Sequence, residues 1–186
     1  RHQYADYENT WTLTKFRYIQ SSIAIGEVLK AEIPAIEKVS TIDMRGQEFK
    51  VDDNTVSVFR CDSLFFDYFP IKFVEGDRNF IEVPTHICVS KKYSDLLASD
   101  GQPVIGREIL LGEKSYMIAA VMQDLGDGAI SYCDILMNIS ETKKSRTVNR
   151  HVVTVFTAKD TTGLCTQMEK VCTDFYGKGD NDDRAV

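Results

Sequence analysis

Long apolar runs and clustered basic side chains are both missing from this 186-residue chain. The longest uninterrupted apolar run extends from Tyr116 to Met122 and has seven residues, whereas a helix that spans a membrane needs about 20. Lys and Arg together number 22, against 28 Asp and Glu, so the formal net charge is −6. Because phosphate neutralisation requires clustered Lys and Arg, this balance argues against nucleic acid as the main partner.

Cysteine, glycine and proline are too few or too scattered to define a specialised architecture. The five cysteines, at positions 61, 88, 133, 165 and 172, are odd in number and include no CxxC pair. Such a set is a poor disulfide framework and a poor zinc site. With 11 Gly, 4 Pro and an apolar fraction of 43%, the composition is neither collagen-like nor that of a disordered chain. A chain of this length buries roughly 70% of its unfolded surface, which is enough for a core without disulfides or metal ions.

Hydrophobic periodicity predicts many strands and a few helices. Period-two patterns rich in β-branched and aromatic residues indicate strands, and apolar residues at i, i+3 and i+4 indicate amphipathic helices. The predicted strands cover 11–19, 39–44, 49–51, 56–61, 86–89, 107–111, 115–122, 132–137 and 151–158, and a further short strand ends at Val74. The predicted helices follow three N-cap candidates, and the last helix ends at Gly177. The candidate caps are Ser21 or Ser22, Ser90, and Asp160 or Thr161.

Six of the ten phenylalanines lie between Phe59 and Phe80. The favoured interpretation is a core segment with a helical turn over 63–69, because large aromatic side chains are found in interiors more often than at interfaces. The alternative is an exposed patch for a partner. We expect Phe65, Phe66 and Phe69 to be mostly buried, with at least two of them in one apolar cluster.

Gly101 and Gly106 have the glycine spacing of a phosphate-binding loop, but the residues around them do not suit phosphate. Arg107 replaces the lysine that reaches the phosphates, and Glu108 replaces the hydroxyl that binds the metal ion. Pro103 also removes one backbone donor. We therefore predict a turn between a helix and a strand rather than a nucleotide site.

The remaining candidates for chemistry are a histidine–cysteine pair and an acidic loop. His86 and Cys88 are two residues apart on a predicted strand and face the same side, a pairing that suits metal or thiolate chemistry. No second such pair and no nearby carboxylate accompanies them, so a half-buried strand is favoured. Asp124 and Asp127 lack the alternating ligands and the final glutamate of a calcium loop. We predict no catalytic, cofactor-binding or metal-binding residues and no enzymatic activity.

Four segments, taken in order, resemble one known family. Residues 63–77 contain a double aromatic, Phe65-Phe66, and a glycine, Gly76, and a strand that ends at Ser90 then opens a helix. Residues 103–106 and 115–124 follow with similar spacing. Together they resemble the extracytoplasmic core domain of MacB/FtsX-like ABC transporter permeases, from about residue 25 to residue 124. The departures are Ala120 where a glycine is usual, Arg107 where lysine is commoner, and the lack of a proline after Asp124.

The resemblance implies an α+β domain with two lobes. A membrane-proximal lobe of βαβ type is expected over 1–83 and 138–176, and an inserted β-rich lobe over 84–137. The inserted lobe should be mainly antiparallel, because turns as short as 112–114 cannot make parallel crossovers. Residues 177–186 are expected to be a flexible connector in a piece of a longer protein. Both ends, near Tyr7 and Tyr176, should lie at one pole of the domain.

The resemblance also implies a function without catalysis. The chain is expected to lie on the periplasmic face of the inner membrane, as part of a permease that transmits ATP-driven motion to periplasmic substrate or partner proteins. The implied partners are an ATPase subunit, reached through the membrane part of the permease, and a second permease in a dimer. One alternative is a stand-alone soluble domain that binds or senses a small molecule. A weaker alternative is a cysteine-dependent enzyme that uses Cys88 and His86.

Overall fold

The computed structural model describes residues 2–7, 10–15, 21–51, 54–125, 132–140, 144, 146–149 and 151–177. The chain divides into two compact units. The terminal unit comprises Arg1–Thr41 and Thr142–Val186, and the middle unit comprises Ile42–Glu141. Helices and strands occur in both units, which confirms the α+β class expected from the sequence.

The elements follow one another along the chain in a simple order. The strands are β1 His2–Tyr7, β2 Thr10–Lys15, β3 Ile36–Val51, β4 Asn54–Cys61, β5 Phe73–Glu75, β6 His86–Ser90, β7 Glu108–Leu111, β8 Lys114–Met122, β9 Ile135–Asn138 and β10 Val152–Ala158. The helices are α1 Ile25–Glu32, α2 Phe65–Tyr68, α3 Lys91–Leu97 and α4 Leu164–Gly177, with 3₁₀ turns at Arg78–Glu82 and Ala98–Asp100. None of the described helices has the length and apolar character needed to cross a bilayer.

The terminal unit is a sheet with two helices. Its strands have the order β1, β2, β10 and the first part of β3, and β2 is antiparallel to both β1 and β10. Helices α1 and α4 supply one apolar face each, at i, i+3 and i+4 spacings, to a core shared with β3 and β10. This core contains Ile25, Leu29, Ile33, Ile36, Val39, Phe156, Leu164, Met168, Cys172 and Phe175.

A glycine allows α1 to lie close to this sheet. A Cβ atom on Gly26 would come within 2.8 Å of both Thr41 Oγ1 and Val39 Cγ1. The predicted serine cap of α1 is wrong, because Ala24 is the N-cap residue and no side chain caps the helix. The backbone N–H of Ser22 instead donates to the hydroxyl of Tyr176, 3.2 Å away, a contact that the sequence does not reveal.

The middle unit is a mixed sheet whose strands have the order β3, β4, β9, β6 and β8. β5 and β7 both pair antiparallel with β8. β3–β4 and β6–β9 are also antiparallel, whereas β4–β9 and β6–β8 are parallel. The predicted hairpin is confirmed: β7 and β8 are joined by a two-residue turn in which Gly112 has a φ of +67°.

The division of the chain differs from the lobes expected from the sequence. The sequence assigns 42–83 and 138–141 to the terminal lobe, but in the structure both ranges belong to the middle unit. The reason is that β4 pairs in parallel with β9, a partner that lies far along the chain. The predicted connector at 177–186 lies, apart from Gly177, outside the described residues. The positions of Tyr7 and Tyr176 relative to a membrane, and the membrane-proximal role of the terminal lobe, stay predictions.

β3 also differs from its prediction. The sequence indicates two strands, 39–44 and 49–51, separated by a turn at Arg45-Gly46. The structure has one strand over Ile36–Val51, with a register shift between Asp43 and Gln47. Gly46 has a φ of +59°, so the glycine produces a bulge within the strand rather than a turn between two strands.

Candidate interaction surfaces

The phenylalanine-rich segment forms a cluster of aromatic rings. Phe65 is 1% exposed, and its ring centroid lies 5.2 Å from that of Phe66 and 5.1 Å from that of Phe69. Phe66 in turn contacts Phe73 and Phe80, at centroid distances of 5.8 and 5.9 Å. The core interpretation is confirmed for the cluster, although Phe66 and Phe69 are only half-buried. Such ring pairs add stability beyond the area they bury.

The loop with phosphate-loop spacing is held by an arginine instead. The Arg107 guanidinium donates to three backbone oxygens, those of Leu97, Gln102 and Pro103, at 3.0, 2.9 and 2.6 Å. Gly106 has a φ of +86°, a conformation that favours glycine for backbone reasons alone. The predicted turn is therefore confirmed, and Arg107 is engaged with the backbone of this turn.

The structure places the other sequence candidates in separate environments. Cys88 is buried in β6, and burial, followed by the neighbouring Cys133, raises the pKa of its thiol. His86 begins the same strand and is half-buried. Asp124 accepts a hydrogen bond of 2.9 Å from the N–H of Lys92, whereas Asp127 lies outside the described residues. Across the described part of the chain, no three metal-ligating side chains come together.

A tyrosine and an aspartate that no sequence motif marks hold the start of β9 in place. The Tyr132 hydroxyl donates to Asp134 Oδ1 at 2.6 Å, and Asp134 Oδ2 accepts the N–H of Ser57 at 2.8 Å. Partial burial, and then the hydrogen bond to Asp134, raise the pKa of Tyr132 to about 12. The Lys92 ammonium lies 5.4 Å from the centre of the Tyr132 ring. A cleft of about 590 Å³ lies beside this group.

A second cleft, in the terminal unit, lies between α1 and α4. It has a volume of about 390 Å³, and its lining includes Val28, Val171 and Asp174. The Arg146 guanidinium lies 4.0 Å from the centre of the Phe175 ring, a distance that suits a cation–π contact. Arg146 also donates to the Phe175 carbonyl, so it closes one side of the cleft.

The third surface, called the edge groove below, lies in the middle unit. It is lined by 48–51 of β3 and by Glu108, Ile109, Leu110 and Gly112 of the β7–β8 hairpin, and its volume is about 580 Å³. Val51 and Ile109 are buried and Phe49 is half-buried, so the floor is apolar. The rim is formed by the exposed side chains of Glu48, Lys50, Glu108 and Leu110. Sequence periodicity identifies these strands but does not bring them together.

The fold is an α+β domain with open clefts in both the terminal and the middle unit. The model of the MacB-like periplasmic core domain family matches residues 1–164. The chain therefore belongs to this family, and the resemblance recognised in the sequence is confirmed. No curated protein matches the chain significantly.

Solved structures with the same fold include domains of MacB, of a permease and of an ABC-type transporter. The periplasmic region of MacB from Actinobacillus actinomycetemcomitans has a TM-score of 0.64 at 12% identity, covering 91% of this chain and 85% of that one. A permease domain from Porphyromonas gingivalis has a TM-score of 0.60 at 18% identity, covering 76% of this chain and 70% of that one. The extracellular domain of the noncanonical ABC-type transporter YknZ from Gram-positive bacteria has a TM-score of 0.60 at 9% identity. The match covers 88% of this chain and 91% of that one. Family and fold together indicate the periplasmic domain of a MacB-like ABC transporter permease.

Proposed function

We propose that this domain transmits ATP-driven motion of a permease to a substrate or partner protein in the periplasm, without catalysing a reaction. The observation that carries the proposal is the family match over residues 1–164. Fold alone does not fix a function, so the motion, the partners and the location need their own tests. The family assignment gives no support to the alternative of a stand-alone sensor domain.

The partners follow from this role. An ATPase subunit acts through the membrane part of the permease, a second permease completes a dimer, and a periplasmic protein or substrate contacts the domain. The division of the chain supports an insertion between membrane segments, because Arg1–Thr41 and Thr142–Val186 belong to the same compact unit. β1 and α4, the first and last described elements, therefore belong to one unit, as expected of a domain inserted between two membrane segments.

Location on the periplasmic face is tested with the thiols of the protein. Cys165 is exposed on α4, whereas Cys61, Cys88, Cys133 and Cys172 are buried. A membrane-impermeant maleimide added to intact spheroplasts that express the full permease should label Cys165. A Cys165→Ser variant, which leaves the four buried thiols in place, should lose the label on this domain. Labelling that requires lysis of the spheroplasts would contradict the location.

Motion is tested by distance measurements in the full permease with its ATPase. Spin labels at Lys170 and Glu113, exposed positions in the terminal and middle units, report movement between the units. Labels at Ser99 and Glu113 report movement within the middle unit and serve as the control. A non-hydrolysable ATP analogue should change the first distance distribution and leave the second unchanged. If neither changes, transmission through this domain is contradicted, while the family assignment is unaffected.

A further inference from the structure

The edge of β7 that faces the edge groove carries backbone groups pointing away from β8. Antiparallel pairs alternate between hydrogen-bonded and non-hydrogen-bonded residues. The N–H of Ile118 donates to the Arg107 carbonyl at 2.8 Å, which makes that pair hydrogen-bonded. Two pairs of the hairpin are therefore non-hydrogen-bonded, those between Glu108 and Met117 and between Leu110 and Ser115. The N–H and C=O groups of Glu108 and Leu110 consequently point away from β8.

The facing edge of β3 has the same property. Both backbone groups of Ser57 bond to Asp134, since its N–H donates to Asp134 Oδ2 and its carbonyl accepts the Asp134 N–H at 3.0 Å. Ser57 therefore turns its backbone away from its β3 partner, Glu48. By the same alternation, Glu48 and Lys50 point their N–H and C=O groups away from β4. On the side away from β4, the neighbour of β3 is β10, which lies at the start of β3, where the Lys159 N–H donates to the Ala35 carbonyl at 2.8 Å. In the described part of the chain, no other strand pairs with β3 on that side, and none pairs with the side of β7 that faces away from β8 and β5.

Side chains along both edges separate into an apolar inner face and a charged outer face. Phe49 and Val51 alternate with Glu48 and Lys50, and Ile109 alternates with its exposed neighbours on β7 in the same way. Leu110 is 60% exposed, although it lies on an open edge strand, where natural proteins usually place charges. The outer face carries two carboxylates, those of Glu48 and Glu108, against the single ammonium of Lys50.

We propose that the edge groove binds an extended segment of a partner polypeptide, which pairs with β7 as an added strand. Main-chain hydrogen bonds to Glu108 and Leu110 supply affinity, as in other complexes formed by strand addition. Alternate side chains of the segment are apolar and pack on the floor of Phe49, Val51 and Ile109. The side chains between these apolar ones are Lys or Arg, and they complement the carboxylates of Glu48 and Glu108. The inference rests on the geometry of the middle unit alone, so its failure would leave the proposed function standing.

The test uses a fluorescent, end-blocked nonapeptide of alternating lysine and valine, titrated onto the full 186-residue chain and followed by anisotropy. We expect saturable binding. Leu110→Pro removes the outward N–H without removing a β7–β8 bond, and it should weaken binding about tenfold, as expected when a bond of this kind is lost. Leu110→Thr is the matched control, because it shortens the same side chain but keeps the N–H, and it should weaken binding clearly less than Leu110→Pro does.

A second comparison leaves the protein unchanged, in case Leu110→Pro fails to fold. The same peptide with N-methyl groups on alternate residues lacks the donors needed for pairing and should not bind. A peptide with glutamate in place of lysine should bind more weakly than the original. No saturable binding, or equal binding of the N-methylated peptide, overturns the proposal. A wild-type dimer in light scattering that Leu110→Pro converts to a monomer would also overturn it, because a second copy of this chain would then occupy the edge.

Discussion

Gly76 lies against Ala120 of β8 so closely that no side chain fits between them. A Cβ atom on Gly76 would come 2.4 Å from the carbonyl oxygen of Ala119 and 2.9 Å from the Cα of Ala120. Gly76 also has a φ of +70°, which disfavours residues with a side chain. The glycine follows β5 directly, so it lets the chain turn while remaining in contact with β8.

Gly76→Ala should therefore destabilise the protein through two separate effects. The left-handed backbone alone costs roughly 1–2 kcal/mol with a Cβ present, and contact with the β8 backbone adds to this. Gly101→Ala is the matched control, because Gly101 has a φ of +77° and nothing within 4 Å of the new Cβ. Urea denaturation should show a larger loss of unfolding free energy for Gly76→Ala. Equal losses would mean that the chain relaxes around position 76 at no cost.

Phe65→Ala should be among the most destabilising substitutions in the middle unit. The side chain is 1% exposed and contacts two further aromatic rings, so its truncation leaves a cavity. The expected loss is about 3–5 kcal/mol in the free energy of unfolding. Phe66→Ala should cost less, because Phe66 is only half-buried. Leu110→Ala, at a 60% exposed position, is the control and should change stability by about 0.5 kcal/mol or less. A smaller loss for Phe65→Ala than for Phe66→Ala would contradict this order.

Arg107 should matter for stability and not for phosphate binding. Its three hydrogen bonds to carbonyl oxygens hold the turn before β7. A hydrogen bond from a charged donor contributes about 1.5–3 kcal/mol to the free energy of unfolding. Because Arg107 is half-exposed, Arg107→Ala should cost an amount near the lower end of that range. Arg107→Lys keeps the charge but loses the planar fork, so an intermediate loss is expected in thermal denaturation. A rise in Tm on adding ATP to the wild type would contradict the structural role.

Local signals predicted local structure well in this chain. A short hydroxyl before an apolar helical pattern identifies Ser90 as an N-cap, and in the structure its Oγ accepts the N–H of Tyr93 at 3.1 Å. The β7–β8 hairpin was equally visible, since its turn contains Gly112 and two strong strand patterns flank it. In contrast, the segment of β1, His2–Tyr7, alternates too few apolar residues to be recognised as a strand.

Features that depend on distant pairing could not be predicted in this way. The parallel pairing of β4 with β9 joins Val58 to Ile135, and no local pattern announces such a partner. The unit boundaries depend on this pairing. It also brings Asp134 to Ser57, and the hydrogen bond between them turns the backbone of Ser57 away from Glu48, its partner on β3. The alternation of residues within one strand predicts which side chains share a face. Which strand edges have no hydrogen-bonded neighbour becomes known only when the pairing of all the strands is known.

Stability should fall in alkaline solution because of the buried thiols. Burial raises the pKa of Cys61, Cys88 and Cys133, with a smaller contribution from the neighbouring Asp62 for Cys61 and from Asp134 for Cys133. In the unfolded chain a thiol titrates near its ordinary pKa of about 8.5. The unfolded state therefore loses protons at a lower pH than the folded state. The stabilisation that the buried, protonated thiols provide is complete below about pH 8.5, and it decreases as the pH rises toward their pKa in the folded state.

The measurement is the urea midpoint between pH 7 and pH 10, compared for the wild type and Cys133→Ala. Other groups also titrate in alkaline solution, so the informative quantity is the difference in slope between the two proteins. Cys133→Ala should be less stable at pH 7, because a buried side chain is shortened. Its midpoint should also fall less steeply above pH 8.5, since one of the buried thiols no longer contributes. Parallel slopes for the two proteins would show that the Cys133 thiol titrates alike in the folded and unfolded states, contrary to its burial.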